Sequence, residues 1–196
     1  MVLDAMDNFA LTFELADGVG WAHARVTVGS STHETAVSYL TPDPLGPLAQ
    51  ALVEYIWPED VTVFVVGKPE AQVDPGLFRQ RTFTWEDEPG GWRWTLRPHE
   101  QQAASVKLER LGSRDPLLLD SVCSLRDVAT AWVDCVEGLL LTHGIVGYRL
   151  KWLQGDLPLS QYLILKRWLR SADYDVRKCE SGTWHEDLAL LSSAGV

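Results

Sequence analysis

The chain has 196 residues, of which 46% are hydrophobic and 9 are tryptophan, so a compact domain can build a core without disulfides or a metal. Its 27 acidic residues outnumber its 17 basic residues, which gives a formal net charge of −10. This balance argues against binding to nucleic acid or to an anionic membrane surface, because both depend on cationic side chains. A basic protein partner, in contrast, would be attracted by the charge.

The cysteines and the N-terminus predict the compartment. Cys123, Cys135 and Cys179 are odd in number and form no CxxC pair, which is typical of a protein kept reduced. The first residues lack the basic and apolar regions of a signal peptide, and no apolar stretch reaches the length of a membrane span. The sequence therefore predicts a soluble, cytoplasmic protein.

Strands and one helix are predicted in the first part of the chain. Polar and apolar side chains alternate in the first 40 residues, which predicts a meander of three strands. Asp43 and Pro44 predict the start of a helix that continues to Ile56, because aspartate caps helices and proline suits their first turn. The β-branched segment 61–66 predicts a strand buried on both faces. The predicted strands of the meander are residues 9–15, 21–28 and 35–40.

A β-hairpin is predicted where two alternating segments, 79–86 and 92–97, flank a turn that contains Pro89 and Gly90. The segment 105–111 also alternates, and it predicts a third strand beside the hairpin. An antiparallel sheet is therefore expected to continue through residue 111.

The pattern becomes helical after residue 112. Ser124 and Asp127 resemble a capping box, and the apolar stripe behind them predicts a helix that ends at Gly144. A further helix is predicted to start at Pro158. Two short alternating segments predict strands, although a helical turn fits the first almost as well: 148–152 and 174–178.

These elements predict the fold class. Strands dominate residues 1–112, which also hold one helix, and helices dominate residues 113–196, so one compact α+β domain is expected. A largely antiparallel sheet from the N-terminal half would pack against two or three helices, mostly from the C-terminal half. Because an edge strand of the meander could pair across a two-fold axis, the oligomeric state stays open.

Motifs of catalysis are not recognisable in the sequence, and neither a cofactor nor a metal is predicted. None of the five histidines has the spacing of a metal ligand, and the acidic neighbours of His185 would point in different directions from it. An enzyme would therefore need a site that the fold assembles. The candidates for such a site are His23, His99, His143 and Cys123.

The hairpin combines aromatic and acidic residues. As cross-strand pairs, its tryptophans would pack the sheet against the helices. As an exposed patch, they would anchor a partner, and the acidic turn would form a rim around them. We take the second arrangement as the predicted binding surface, which consists of Trp85, Glu86, Asp87, Glu88, Trp92 and Trp94.

In its charge, tryptophan content and fold class, the chain resembles the small, acidic α+β proteins with which bacteria neutralise toxins. The resemblance is one of outline, without shared motif residues, and it implies that the chain occludes the basic site of another protein. A non-catalytic protein-binding module is therefore predicted. The alternatives are an enzyme with a site assembled by the fold and a small-ligand binder with a tryptophan-lined pocket.

Overall fold

A computed structural model describes residues 6–56, 80–99, 102–170 and 184–193. These residues form strands and helices in the order expected of an α+β fold, and the predicted class is confirmed. The strands are β1 (Phe9–Leu15), β2 (Trp21–Val28), β3 (Ser31–Ser38), β4 (Arg81–Glu86), β5 (Gly91–His99), β6 (Ala103–Arg110) and β7 (Leu117–Ser124). The helices are α1 (Gly46–Ile56), α2 (Leu125–Trp152), α3 (Leu159–Arg170) and α4 (Trp184–Ser192).

The first sheet is the predicted meander. β1, β2 and β3 pair antiparallel in that order. Their alternation directs Phe9, Leu11 and Phe13 into the core, while Thr12 lies on the outer face. Because helices cover the inner face alone, the outer face of this sheet is polar and exposed.

The second sheet has the antiparallel order β4-β5-β6-β7. Its first two strands form the predicted hairpin, in which Trp85 lies opposite Trp92 and Phe83 lies opposite Trp94. β7 was not predicted, because its sequence begins with three consecutive leucines and does not alternate between apolar and polar residues. The sheet therefore extends past residue 112, where the helical region was predicted to begin.

Side-chain caps start the two helices that follow strands. The N–H of Gly46 donates to Oδ1 of Asp43 at 2.7 Å, which confirms the predicted cap of α1. The N–H of Asp127 donates to Oγ of Ser124 at 3.4 Å, which confirms the predicted cap of α2. Each cap satisfies an N–H that the helix itself leaves unpaired.

α2 is interrupted at Gly144, the residue at which the first helical segment was predicted to end. Gly144 has a non-helical backbone, with φ of 65° and ψ of 177°, and a second helical segment follows it and continues to Trp152. The predicted strand over 148–152 is therefore wrong. A strand would have placed Leu150 on the same face as Tyr148 and Trp152, but Leu150 is 67% exposed while the other two are buried, as helical spacing requires.

Both sheets and the first three helices contribute to one hydrophobic core. Three tryptophans from distant parts of the chain converge there on the segment 42–45, which leads into α1. The indole nitrogens of Trp85, Trp132 and Trp152 donate to the carbonyl oxygens of Pro44, Leu45 and Pro42 at 2.7, 3.1 and 3.3 Å.

Some predictions concern residues outside the described ranges. These are the strands over 61–66 and 174–178 and the third cysteine, Cys179. Within the described ranges, no helix combines the length and the apolar character needed to cross a bilayer.

Candidate functional site

The three tryptophans of the predicted binding surface lie in the core. Trp85, Trp92 and Trp94 are each 0% exposed. Trp85 stacks on Trp92 at 6.4 Å between ring centroids, and its ring edge meets Trp94 at 4.8 Å. This is the cross-strand packing that the hairpin register demands, so the aromatic part of the predicted surface must be corrected. In this structure a partner has no access to these rings.

The acidic part of that surface is only partly free. The hydroxyl of Thr35 donates to Oδ2 of Asp87 at 2.9 Å, and the N–H of Glu86 donates to the hydroxyl of Thr41 at 2.8 Å. These contacts fix the hairpin turn to the first sheet and to the start of α1. Glu88 is exposed, and Glu86 is half-buried. The turn therefore keeps its negative charge at the surface, although Asp87 has a structural contact.

The candidates for an assembled catalytic site lie on separate elements. His23 is on the outer face of β2, His99 ends β5, and His143 lies at the bend of α2. Among the described residues, no hydrogen bond or ion pair joins any two of the candidates. Partial burial, and then the nearby charge of Lys151, lower the pKa of His143, so that it stays neutral more readily.

Cys123 is poorly suited to act as a nucleophile. Its side chain is fully buried in β7, and burial, with the charges of Asp7 and Asp127, raises the pKa of its thiol to about 12. Nucleophilic attack requires the thiolate, which this environment suppresses at neutral pH. The position before the helix cap, which made Cys123 a candidate, is outweighed by desolvation.

A shallow depression of about 450 Å³ lies on the outer face of the first sheet. Thr12, Glu14, His23, Arg25 and Glu34 line it, and strand register places Glu14 directly opposite His23. Arg25 and Glu34 form an exposed ion pair at 2.6 Å. This surface is open to solvent and mixed in charge, which is typical of a solvated sheet face.

A buried polar cluster joins α2 to α3, and the sequence did not predict it. Nζ of Lys166, a residue only 4% exposed, lies 2.5 Å from Oε1 of Glu137 and 2.7 Å from the hydroxyl of Tyr162. The Tyr162 hydroxyl donates to the same carboxylate oxygen at 2.9 Å. Burial, and then the hydrogen bond to the Glu137 carboxylate, raise the pKa of the Tyr162 hydroxyl above its ordinary value. The charges of Lys166 and Glu137 compensate each other, and because the two residues lie on different helices, their ion pair connects α2 to α3.

Large apolar side chains are exposed around the second half of α2. Leu141, Val146 and Leu150 are 63%, 71% and 67% exposed. The loop before β2 adjoins them, because the N–H of Gly20 donates to the carbonyl of Lys151 at 2.8 Å. We name this surface the end-of-α2 patch, and it consists of Val19, Leu141, Ile145, Val146, Leu150 and Leu153.

A surface groove of about 340 Å³ runs along the contact between β1 and the first half of α2. Residues 8–11 form its strand side, and one face of the helix forms the other side. Asp127 and Asp134 are exposed on that face, and within the described residues neither has an ion-pair partner. We name this feature the β1–α2 groove, and its helix side consists of Asp127, Thr130, Ala131 and Asp134.

Among the described residues, no three histidine, cysteine or acidic side chains form a cluster that could hold a metal ion. The acidic residues after His185 form ion pairs with the guanidinium group of Arg167. Its Nη2 lies 2.8 Å from Oδ1 of Asp187 and 3.6 Å from Oε2 of Glu186. No family model, no curated protein and no solved structure matches the chain, so its function has to be argued from its own residues.

Proposed function

We propose that the chain is a non-catalytic protein-binding module that occludes a basic protein partner, as an inhibitor or immunity-type protein does. The observation that carries the proposal is the end-of-α2 patch. Large exposed apolar patches are uncommon on a protein surface and mark sites of protein association. Val146 and Leu150 lie one helical turn apart, so both can enter the same partner surface.

The charge of the chain supports a basic partner. The formal net charge is −10, and carboxylates at the hairpin turn and in the β1–α2 groove face solvent. Charge of one sign attracts an oppositely charged protein from a distance and speeds its association. In the hairpin turn, the proposal assigns this role to Glu86 and Glu88, because Asp87 has a structural contact with Thr35.

The two alternatives have less support from the described residues. An enzyme would need its candidates to converge in one site, whereas they lie on different elements and Cys123 is buried. A small-ligand binder would need a tryptophan-lined pocket, and neither the sheet depression nor the β1–α2 groove is lined by tryptophan.

The proposal is tested by affinity purification of the tagged protein from its source cells at low and moderate salt, followed by mass spectrometry. One basic protein, recovered in a fixed ratio and lost as salt rises, is the expected result, because screening weakens attraction between exposed charges. Recovery of acidic partners only, or of none at either salt concentration, would count against it.

Variants of the patch refine this test. Val146→Ser and Leu150→Ser remove exposed apolar surface, so they should reduce recovery of the partner at least about tenfold, as expected for residues central to an interface. Leu117→Ser is a matched control, because Leu117 is 51% exposed on β7, away from the patch. Equal loss in the control would show that the substitution type, rather than the patch, is responsible.

A further inference from the structure

The two helical segments of α2 bury opposite faces. The buried stripe of the first segment ends at Leu139. In an unbroken helix this stripe would continue through Val146 and Leu150, which follow Leu139 by about two and three turns. Both are exposed instead, whereas Tyr148 and Trp152 on the opposite face are buried. The second segment is therefore rotated, and the apolar face that would continue the stripe is directed to solvent.

The backbone at Gly144 produces this rotation. Its φ of 65° and ψ of 177° lie in a region that essentially only glycine adopts. An added Cβ at Gly144 would meet no atom within 4 Å, so the backbone conformation, not a lack of space, requires glycine here. The indole of Trp152 holds the rotated segment, because it is buried and donates to the carbonyl of Pro42. The exposed apolar face is thus built into the fold.

The end-of-α2 patch differs in charge from the rest of the chain. Residues 138–155 contain no Asp or Glu, although the chain has a formal net charge of −10. Arg149 lies within the exposed face, four residues from both Ile145 and Leu153. Its Nε lies 3.6 Å from Oδ1 of Asp156, which is exposed beside the patch. Two copies of this acidic chain would meet here with less repulsion between carboxylates than acidic surfaces would cause.

The exposed apolar surface is large enough for a dimer. Tyr39 and Leu40 are exposed next to the patch, because the N–H of Tyr39 donates to the carbonyl of Gly20, and the N–H of Gly20 donates to that of Lys151. Together with the patch, these two residues expose on the order of 800 Å² in each copy, which is about the area that a specific dimer of standard size buries per partner.

We infer that the end-of-α2 patch binds the same patch of a second copy across a two-fold axis, so that the free chain is a dimer. Val146 and Leu150 of one copy would pack between the same side chains of an antiparallel helix. A two-fold contact is self-complementary, so Arg149 of each copy can approach Asp156 of the other. Patches that carry both an apolar face and charges of both signs meet this requirement.

An anionic bilayer is a poorer occupant of the patch. The net charge of −10 and the exposed carboxylates of Asp17 and Asp156 beside the patch would be repelled by such a surface. The proposed function places a protein partner on the same patch, so that partner would have to open the dimer. This competition rests on the proposed function, whereas the dimer itself does not.

Sedimentation equilibrium of the full chain, from about 1 to 100 μM, tests the dimer. We expect a Kd of about 10 μM, as for an interface at the weak end of the specific range. Raising the salt concentration should leave the dimer intact or strengthen it, because salt screens the repulsion between two acidic copies. Recovery of a basic partner should fall with salt, so the two associations respond in opposite directions.

Variants locate the dimer contact. Val146→Ser with Leu150→Ser should raise the Kd at least about tenfold, as expected for residues at the centre of an interface. Leu117→Ser with Leu188→Ser is the matched control, because it removes two exposed apolar side chains outside the patch, and it should leave the Kd unchanged within about twofold. Circular dichroism shows that both double variants are folded.

A charge variant tests the contact independently. Arg149→Glu places a carboxylate within the exposed face of each copy, so it should also raise the Kd at least about tenfold. Arg114→Glu makes the same charge change at an exposed position outside the patch, and it should have little effect.

Three outcomes would overturn the inference. The first is a chain that stays monomeric throughout the concentration range. The second is a dimer that the patch variants weaken no more than their controls do. The third is a monomeric chain that pellets with vesicles of phosphatidylserine and phosphatidylcholine unless Val146 and Leu150 are replaced. In each case the proposed function would be judged separately, by the salt-dependent recovery of a basic partner.

Discussion

The hairpin of β4 and β5 and the β1–α2 groove each combine strand residues with acidic side chains, but their surroundings differ. In the hairpin, the tryptophans lie in the core, and Asp87 accepts a hydrogen bond from the hydroxyl of Thr35. In the groove, the carboxylates of Asp127 and Asp134 are exposed and have no ion-pair partner among the described residues. The residues best suited by type to bind a partner are covered, and two carboxylates that the sequence did not single out are exposed.

This difference teaches that residue type ranks candidates poorly when the covering elements come from distant parts of the chain. Trp85 is held by Pro44, 41 residues away, and Asp87 by Thr35, 52 residues away. Exposure is thus decided by tertiary contacts. Four substitutions test the contrast between buried, contacted side chains and the exposed carboxylates of the groove.

Replacing Trp85 should have the largest effect. Trp85→Ala removes a fully buried indole together with its hydrogen bond to Pro44, so the free energy of unfolding should fall by about 4 kcal/mol. Denaturation in urea, followed by circular dichroism, measures the loss. Arg93→Ala, at an exposed position of β5, is the control and should change stability by less than about 0.5 kcal/mol. Similar small losses in both would place Trp85 at the surface after all.

Glu137→Gln should have the second-largest effect on the free energy of unfolding, because it leaves the buried charge of Lys166 without a counterion. We expect a loss of about 2 to 3 kcal/mol, below the full cost of breaking a buried pair, since the Glu137 side chain is 19% exposed. The double variant Glu137→Leu with Lys166→Met should recover most of this stability, because it removes both charges. If the single variant unfolds like the wild type, the ion pair does not fasten α2 to α3.

Thr35→Val should cost about 1 kcal/mol, because it deletes the hydrogen bond to Asp87 while it preserves side-chain volume. The equilibrium unfolding of Thr12→Val provides the comparison, since Thr12 lies on the exposed face of β1. A loss in Thr12→Val as large as that in Thr35→Val would mean that the hairpin turn is not fastened through this bond.

Asp134→Asn should have the smallest effect, within about 0.5 kcal/mol at pH 7, and of the opposite sign. The raised pKa of Asp134 means that its ionised form disfavours the folded state. This group's contribution to stability is therefore complete below its unfolded pKa of about 3.9 and is lost as pH rises through the folded pKa. The variant should be as stable as the wild type or slightly more so at pH 7, and the advantage should vanish near pH 4. Urea unfolding at both pH values measures it, and a constant difference would contradict it.

Local patterns predicted much of the fold. Alternation predicted the meander and the hairpin, and the caps at Asp43 and Ser124 predicted two helix starts, because these signals act over a few residues. The strand prediction for residues 148–152 was wrong because it also depended on a pattern of a few residues. Its spacing suits a strand and a helix equally, and the choice is made by the burial of Tyr148 and Trp152 against distant residues.

The candidate surfaces could be predicted far less well. Composition predicted the acidic charge, and alternation placed the tryptophans on the two strands of one hairpin, but neither reveals which face other elements cover. The β1–α2 groove depends on the packing of β1 against a helix more than 100 residues away in sequence. Lys166 gave no signal of burial, because its partner Glu137 lies on another helix.

The three indole hydrogen bonds at the start of α1 also affect the order in which the chain can fold. The donors lie 41, 87 and 110 residues beyond their acceptors. During synthesis, the segment 42–45 therefore emerges long before the residues that hold it. The N-terminal third cannot complete its native contacts until α2 has been made through Trp152. Such long-range closure slows folding, and the ribosome-bound N-terminal part should remain protease-sensitive until late in translation.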